Sequence, residues 1–178
     1  DVMHEMIEWW GPIFRDAYGA SEVGTVCAIT SEEWLENPGS VGKAIPPFTA
    51  YVLDEDLNEL PKGTEGRLFF RDRTGRGIIY PNDPQKTAQA NPEPGLFTLG
   101  EIGYINENDY VFITDRFSDM VVSGGVNIYP AEAEQILIDH PEIADIGCIG
   151  IPHQDLGEEL IGLIVPADPA SQFDTEEI

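Results

Sequence analysis

The segment of residues 114–134 constrains the fold more than any other part of the chain, because it joins a strand, a tight turn and a helix start. Residues 121–122 are two valines, which favour an extended strand. The Gly124-Gly125 pair ends that strand, since two glycines accept positive φ angles and carry no Cβ to obstruct a neighbouring chain or ligand. Pro130 suits the first position of a helix. The segment therefore predicts a strand-turn-helix corner at which the backbone can approach a ligand.

Short apolar runs separated by turn residues predict a strand-rich protein of the α+β class. Residues 102–105 and 110–113 flank a polar turn and predict a hairpin. The strands that follow Pro130 give the last part of the chain the order β-α-β-β. The predicted strands cover residues 51–53, 67–70, 77–80, 102–105, 110–113, 143–151 and 161–165.

Helical segments are predicted at three further places. Residues 2–10 carry an apolar stripe at helical spacing and are followed by Gly-Pro, which ends a helix. Residues 81–95 contain four prolines and predict an exposed loop with one helical turn near residues 86–88. A capping box at residues 174–177 predicts the start of another helix.

The chain is strongly acidic, with 33 acidic and 9 basic residues and a net charge of −24. Binding to phosphate backbones needs clusters of Lys and Arg, so this charge excludes nucleic acid as a default partner. No apolar run reaches the length of about 18 residues that a membrane-spanning helix requires. Cys27 and Cys148 have no metal-like spacing and suit a reducing compartment. The composition predicts an acidic cytoplasmic protein.

The 114–134 segment resembles, nearly position by position, the hinge signature of the AMP-forming acyl-CoA synthetases of the adenylate-forming ligase superfamily. The resemblance implies that Arg116 contacts the nucleotide ribose. It implies that Ser118, where many relatives carry Asp or Lys, is the hinge. It also implies that Ser123 and the Gly124-Gly125 turn bind cofactor, the turn lining the tunnel for the pantetheine arm of CoA.

Residues 18–22 resemble the adenine and magnesium loop of the same synthetases. The resemblance implies that Tyr18 packs on adenine, that the Ala17 carbonyl reads the exocyclic amine, and that Gly19 belongs to the same cofactor-binding loop. Glu22 matches the magnesium-binding Glu. Ser21 replaces the more usual Thr near the acyl phosphate. Glu22 and Ser21 are therefore the candidate catalytic residues.

Residues 98–104 resemble the motif whose acidic residue holds the ribose hydroxyls. The family normally carries Asp there, whereas this chain carries Glu101. A Glu still accepts both hydroxyl protons, but its extra methylene shifts the oxygens by about 1.5 Å, which matters where positioning supplies the rate. Residues 66–71 and 80–88 resemble the intervening barrel motif and are interpreted as scaffold.

The resemblance implies three parts: the end of the large nucleotide-binding domain over 1–47, a β-barrel-like subdomain over 48–117, and the first half of a mobile α/β domain over 118–178. The family's loop for the β- and γ-phosphates would lie before residue 1. The catalytic Lys would lie beyond Ile178. The chain is therefore expected to be a fragment that is inactive alone. None of its lysines matches the catalytic one: Lys43, Lys62 and Lys86.

The implied activity is that of an acyl-CoA ligase, which uses ATP and Mg²⁺ to convert a carboxylic acid to acyl-AMP and then transfers the acyl group to CoA. The sequence around residues 31–42 is similar to bacterial members that take fatty or steroid acids. A carrier-protein-loading adenylation domain and an oxidative relative are alternatives within the superfamily. A non-enzymatic acidic β-rich binding module is the alternative outside it. Association into oligomers is left open.

Overall fold

A computed structural model describes residues 2–168 of the chain. The chain forms two compact units, the first ending at Ile113 and the second beginning at Thr114. The helices are α1 (Val2–Trp10), α2 (Ser31–Glu36), α3 (Pro84–Ala90) and α4 (Pro130–Leu137). The strands are β1 (Arg15–Ala20), β2 (Gly24–Thr30), β3 (Ser40–Ala44), β4 (Phe48–Leu53), β5 (Gly66–Asp72), β6 (Leu96–Phe97), β7 (Glu101–Ile105), β8 (Val111–Arg116), β9 (Val121–Ser123), β10 (Val126–Ile128), β11 (Ile143–His153) and β12 (Gly157–Pro166).

The first unit is built on a sheet with the strand order β1-β2-β3-β8-β7-β5-β4, and β6 adds a short pairing to β5. Strand β5 carries three consecutive buried residues, Leu68, Phe69 and Phe70. Because neighbouring side chains in a strand point to opposite faces, this run means that both faces of β5 are covered. Leu68 and Phe70 belong to the main core cluster, and Phe69 packs in a smaller one with Leu53 and Leu96.

The prediction of a strand over residues 77–80 is wrong. Ile78 is buried, but its backbone bonds to a side chain instead of a neighbouring strand. The Ile78 N–H donates to Asn91 Oδ1 at 2.8 Å, and Asn91 Nδ2 donates to the Ile78 carbonyl at 2.8 Å. One side-chain amide therefore replaces the hydrogen bonds that a strand partner would supply.

The helical turn predicted near residues 86–88 is longer in the structure and forms α3. Asp83 caps this helix by accepting a hydrogen bond from the Lys86 N–H at 2.8 Å, and Pro84 occupies the first helical turn. An N-cap carboxylate followed by Pro is a strong start signal, which explains why the helix begins here and extends to about two turns.

The second unit contains a four-stranded sheet in the order β10-β9-β12-β11, with α4 packed on β11. The sequence predicted that the Gly124-Gly125 turn leads directly into the helix. The structure instead inserts β10, which pairs antiparallel with β9 before Pro130 starts α4. The order is therefore β-β-α-β-β, one strand more than predicted.

Other elements agree with the sequence. The helix over 2–10 is confirmed, β7 and β8 are neighbours in the sheet as the predicted hairpin requires, and the mixed strand-rich fold is confirmed. The predicted helix start at residues 174–177 lies outside the described residues. The three-part division at 47 and 117 stays a prediction.

Candidate active site

The β1–β2 hairpin gathers five of the predicted site residues. Ala17, Tyr18 and Gly19 lie in β1, and the pairing with β2 is irregular between Tyr18 and Gly19. A Cβ built on Gly19 would lie 2.1 Å from the Gly24 carbonyl oxygen, so only glycine fits there. Gly19 thus lets the hairpin close at the point where the chain turns towards the candidate catalytic residues.

Ser21 and Glu22 occupy the turn of this hairpin, and both side chains are exposed. The Val23 N–H donates to the Ala20 carbonyl at 3.2 Å and closes the turn. Ser21 Oγ donates to Glu22 Oε2 at 3.0 Å. The turn therefore presents one hydroxyl and one carboxylate together, in contact with solvent and accessible to a ligand.

Tyr18 is half-buried and ties the hairpin to the main core of the first unit. Its ring centroid lies 6.2 Å from that of Phe70, which is fully buried. Phe70 is in turn 6.1 Å from Phe97. An aromatic ring held by other rings is well suited to present a fixed flat face, which is the role predicted for Tyr18 towards adenine.

Glu101 begins β7 and follows a turn that fixes its approach. Gly100 has a φ of +98°, which side-chain-bearing residues rarely adopt, and its N–H donates to Thr98 Oγ1 at 3.0 Å. Thr98 is buried and its own N–H donates to the Ala90 carbonyl at 2.9 Å. The start of β7 is thus held against the end of α3, and Glu101 is half-buried there.

Tyr80 is half-buried and lies in the segment that precedes α3. Burial raises the pKa of Tyr80, and the negative charges of Glu22 and Glu101 raise that pKa further. Lys86 Nζ lies 4.4 Å from the centroid of the Tyr80 ring. Glu22 and Glu101 therefore act on the same phenol, although they are far apart in sequence. Residues 80–88 were interpreted as scaffold from the sequence, so Tyr80 was not predicted as a site residue, although it lies within a motif that resembles the family's.

Arg116 and Ser118 belong to the second unit. Arg116 ends β8 and is exposed, and its N–H donates to Asp115 Oδ1 at 2.7 Å. Ser118 lies in the exposed turn between β8 and β9, where its Oγ donates to Asp119 Oδ1 at 2.8 Å. The Asp119 N–H donates to the Arg116 carbonyl at 3.0 Å. The predicted hinge residue is therefore in a short turn that contains several local hydrogen bonds.

Ser123 and the two glycines form the tip of the β9–β10 hairpin. Gly124 and Gly125 have φ angles of +58° and +84°, the combination that a two-residue hairpin turn of this handedness requires. The Gly124 N–H donates to the Leu156 carbonyl at 2.8 Å, and β12 pairs with β9 at Ser123. The tip is thus anchored on one side and exposed on the other.

A cavity of about 380 Å³ lies in the second unit beside these elements. Its carboxylates serve as acceptors for backbone groups: Glu134 from Cys148 N at 2.7 Å, and Glu158 from Val122 N at 2.8 Å. Burial, together with the charge of Glu134, raises the pKa of the Cys148 thiol. These hydrogen bonds connect α4 to β11 and β12 to β9, and the negative charge of the two carboxylates would repel phosphate.

Glu22 fits the way in which proteins bind Mg²⁺ next to a nucleotide. Mg²⁺ usually takes one or two carboxylates and completes its octahedron with phosphate oxygens and water. Among residues 2–168, no group of three or more His, Cys, Asp or Glu side chains is arranged to hold a metal. A single exposed carboxylate with an adjacent hydroxyl therefore suits an ion that arrives with the phosphates. Bound there, Mg²⁺ would supply charge neutralisation at the phosphates.

Comparison with known proteins agrees with this geometry. The family model described as AMP-binding enzyme matches residues 1–76, and the model described as AMP-binding enzyme C-terminal domain matches residues 132–178. The human mitochondrial acyl-coenzyme A synthetase ACSM4 is 31% identical over 182 residues, covering 98% of this chain and 31% of that protein. Luciferin 4-monooxygenase of Photinus pyralis is 36% identical over 157 residues, covering 86% of this chain and 28% of that protein.

The fold has close counterparts among solved structures. The o-succinylbenzoate CoA synthetase MenE of Bacillus subtilis, in complex with its acyl-adenylate intermediate OSB-AMP, superposes with a TM-score of 0.82 at 25% identity. The match covers 96% of this chain and 34% of that one. The fold is therefore that of the adenylate-forming enzymes.

The chain belongs to the AMP-binding enzyme family, since both family models match it in the expected order and its relatives are acyl-CoA synthetases and related ligases. It spans about a third of the length of the relatives it matches, 31% in the case of ACSM4. Among the described residues, the helices are too short or too polar to cross a membrane.

Proposed function

We propose that this chain carries part of the nucleotide site and the hinge of an AMP-forming acid–thiol ligase. The observation that carries the proposal is the β1–β2 hairpin, which holds the Tyr18 ring 6.2 Å from the buried Phe70 ring and presents the Glu22 carboxylate beside the Ser21 hydroxyl at its turn. A fixed flat ring and an exposed carboxylate on one hairpin provide a platform for a base and a ligand for Mg²⁺.

In the first half-reaction a carboxylate oxygen of the acid attacks the α-phosphorus of ATP. The bond to the β-phosphate breaks, and pyrophosphate leaves with the electron pair. We assign Tyr18 to the adenine ring, Glu101 to the ribose hydroxyls, and Glu22 to the Mg²⁺ that accompanies the phosphates. In a chain of net charge −24, that ion offsets the repulsion between protein and ATP.

In the second half-reaction the CoA sulfur attacks the acyl carbon, and AMP leaves. We assign Ser118 to the hinge that separates the two half-reactions and the Gly124-Gly125 turn to the path of the pantetheine arm. The exposed Gly124-Gly125 turn, which carries no Cβ, supports the second role, and the short local turn at Ser118 supports the first. Arg116, two residues before the hinge, is assigned to the ribose.

For the substrate we propose a fatty or steroid acid, on the resemblance of residues 31–42 to bacterial ligases of that type. The relatives named above include proteins for o-succinylbenzoate and luciferin, so the acid varies widely across the family. The luciferin relative also supports a second candidate, an oxidative enzyme that uses the same adenylation step and then oxygen in place of CoA.

The test is carboxylate-dependent exchange of pyrophosphate into ATP, measured on the complete gene product with acetate, octanoate, palmitate and a steroid acid. Exchange that becomes thioester formation on adding CoA supports the ligase and names its acid. Exchange without thioester supports carrier loading, or oxidation if oxygen is consumed. No exchange with any acid contradicts the enzymatic proposal.

The hinge assignment has its own test in the same protein. Ser118→Pro fixes φ and removes a backbone donor at the turn. We expect thioester formation to fall about tenfold more than acyl-AMP formation, since only the second step needs the altered hinge.

Asp119→Pro is not a suitable control, because the Asp119 N–H donates to the Arg116 carbonyl. Ser118→Ala, which keeps the backbone free, should leave both steps near their original rates. Equal losses in both steps for Ser118→Pro would refute the hinge role.

A further inference from the structure

Three of the nine basic residues of this acidic chain border one concavity of the first unit. Lys43 lies in β3, Lys62 lies in the turn that precedes β5, and Arg73 follows β5 directly. The concavity has a volume of about 350 Å³, within the range of about 300–1,000 Å³ typical of small-molecule sites. In a protein of net charge −24, such a concentration of positive charge indicates a site that attracts an anionic ligand.

The two lysines are held in place by contacts that leave them facing the same acidic group. Lys62 Nζ lies 2.7 Å from Asp109 Oδ1. Lys43 Nζ lies 4.4 Å from the centroid of the Tyr110 ring. The hydrogen bond from Lys62, followed by the charges of Lys62 and then Lys43, lowers the pKa of Asp109 below its usual range. The charges of both ammonium groups therefore act on the Asp109 carboxylate at the rim of the pocket.

Arg73 differs from the neighbouring arginines in having a guanidinium with no ion-pair partner among the described residues. Arg71 pairs with Glu93 at 2.8 Å, and Arg76 pairs with Asp72 at 2.8 Å. Among the described residues, the Arg73 guanidinium forms no ion pair, although its backbone N–H is anchored by the Pro47 carbonyl at 3.2 Å. An anchored backbone with an unpaired guanidinium leaves a planar fork for an incoming oxyanion.

The remainder of the pocket wall is apolar apart from Thr49, and it shares only Phe48 with the cavity that Glu22 lines. Phe48, Ala50 and Ile105 contribute to it, and none of the residues assigned to ATP, Mg²⁺ or CoA lines it. The lining contains three cations and one carboxylate, Asp109, while the charge of Lys43 also acts on Glu33 outside the pocket. A ligand that matches this wall has an anionic head and an apolar or ring-shaped body.

We propose that this pocket, named here the Lys43–Arg73 pocket, binds the diphosphate group of a small molecule. The phosphate oxygens bridge Arg73 and Lys43 and compete with Asp109 for Lys62. Free pyrophosphate and a nucleoside diphosphate share this chemistry, and the nucleoside would add contacts to the Phe48 wall. The inference does not depend on the ligase function, because it rests on residues with no role in that reaction.

The test is titration of the full chain with pyrophosphate by calorimetry and by NMR, in EDTA so that magnesium-dependent binding at Glu22 is suppressed. Arg73→Gln should weaken binding about tenfold, the effect of losing a charge-assisted pair of hydrogen bonds. Asp109→Asn should tighten binding several-fold by removing the competing carboxylate. Asn suits that position because Asp109 has a φ of +66°, a conformation that Asn tolerates.

Arg15→Gln is the matched control, since it removes the same charge from an exposed arginine outside the pocket. It should leave the dissociation constant within about twofold of the original, because Arg15 does not line the pocket and an exposed charge is screened by salt at about 0.15 M. Tighter binding of ADP than of pyrophosphate, lost in Arg73→Gln, would identify a nucleotide as the occupant. Equal affinities would identify the free anion.

Three results would overturn the proposal. One is the absence of saturable binding at pyrophosphate concentrations up to about 10 mM, since a weak anion site with a dissociation constant of about 1 mM would be mostly filled there. Another is equal weakening by Arg15→Gln and Arg73→Gln, which would indicate general attraction. The third is a change in sedimentation with no change in anion binding in Arg73→Gln and Asp109→Asn. That would assign the pocket to contact between copies of this acidic chain.

Discussion

The two units of this chain bury their apolar residues to very different extents. The first unit contains most of the fully buried large side chains, among them Phe69, Phe70 and Phe97. The second unit buries Val121, Ile143 and Cys148 but leaves other apolar residues open to solvent: Ile136 is 76% exposed, Leu163 55% and Val165 53%. The first unit therefore gains most of its stability from packing, whereas the second relies more on backbone pairing and turn chemistry.

This difference matches the roles proposed for the two units. Residues that position a nucleotide need a fixed platform, and the first unit holds Tyr18 against buried rings. Residues at a hinge and at a hairpin tip need a backbone that turns sharply, and the second unit provides Ser118 in an open turn and two glycines at positive φ. Substitutions in the core of the first unit should therefore cost more stability than substitutions in the turns of the second.

The largest effect is expected from Phe70→Ala in the first unit. Phe70 is fully buried and its ring supports both Tyr18 and Phe97, so its loss removes apolar contacts and leaves a cavity. We expect the free energy of unfolding to fall by about 3–5 kcal/mol. Tryptophan fluorescence during urea unfolding measures this unit, because all three tryptophans, Trp9, Trp10 and Trp34, lie in it.

Ile79→Ala is the control for Phe70→Ala, since Ile79 lies in the same unit but is 73% exposed. It should change the free energy of unfolding by less than about 0.5 kcal/mol. Similar losses for Phe70→Ala and Ile79→Ala would mean that the first unit is not stabilised by its core in the manner described.

The sequence predicted the second unit's local features better than the contacts that hold the first unit together. Pro130 and the glycine pair determine their turns through their own φ angles, so their structural roles followed from the sequence. Residues 77–80 look like a strand because they are apolar, but the amide of Asn91 satisfies their backbone. No local pattern shows that a side chain 13 residues away will do so.

The candidate site divides in the same way. The resemblance named Glu22 and Glu101 separately, from two motifs. That the charges of both also raise the pKa of Tyr80 depends on the fold, because the three residues lie in different segments of the first unit. Likewise the Lys43–Arg73 pocket combines residues from β3, a turn and the end of β5, which no spacing in the sequence connects.

The second largest effect is expected from Gly19→Ala. Compared with Gly125→Ala, it tests whether close backbone contact at Gly19 constrains the chain more than the positive φ of Gly125 does. The added Cβ would meet the Gly24 carbonyl oxygen and the Thr25 Cα at 2.1 and 2.8 Å, so the hairpin must open. We expect a loss of about 3 kcal/mol, the upper part of the range for overpacking. AMP binding, measured by calorimetry, should weaken as well, because Tyr18 and Glu22 flank this point.

Gly125→Ala provides the contrast in the second unit. Its Cβ would meet nothing within 4 Å, so only the φ of +84° is unfavourable, at a cost of about 1–2 kcal/mol. Amide hydrogen exchange of β9 and β10 is the suitable measurement, since the second unit has no tryptophan. A cost for Gly125→Ala as large as that for Gly19→Ala would contradict the ranking.

A smaller effect is expected from Glu134→Ala, which tests how far the second unit depends on polar links. Glu134 Oε1 accepts the Cys148 N–H at 2.7 Å and so connects α4 to β11. Its removal leaves a partly buried donor without this partner, at a cost of about 1–2 kcal/mol. Hydrogen exchange at Cys148 should accelerate by about tenfold, the factor that corresponds to about 1.4 kcal/mol. Glu132→Ala, on the exposed side of the same helix, should leave that amide unchanged.

The smallest effect concerns the pH dependence of the first unit and is tested by Asp72→Asn. The Asp72 side chain is only 1% exposed. Burial alone would raise its pKa, but hydrogen bonds from Thr74 and Arg76, with the charge of Arg76, lower the pKa of Asp72 below its usual range. A carboxyl whose pKa is depressed in the folded state contributes stability above its unfolded pKa of about 3.9 and loses it as pH falls through the folded value.

Asp72→Asn should therefore lower the urea midpoint at pH 7, and the difference from the original chain should shrink between about pH 4 and pH 2. The exposed Asp56→Asn should give a pH profile parallel to that of the original chain. A constant difference between Asp72→Asn and the original chain at all pH values would show that Asp72 acts through its hydrogen-bond geometry and not through its charge. Packing would then be the main source of the first unit's stability at acidic pH as well.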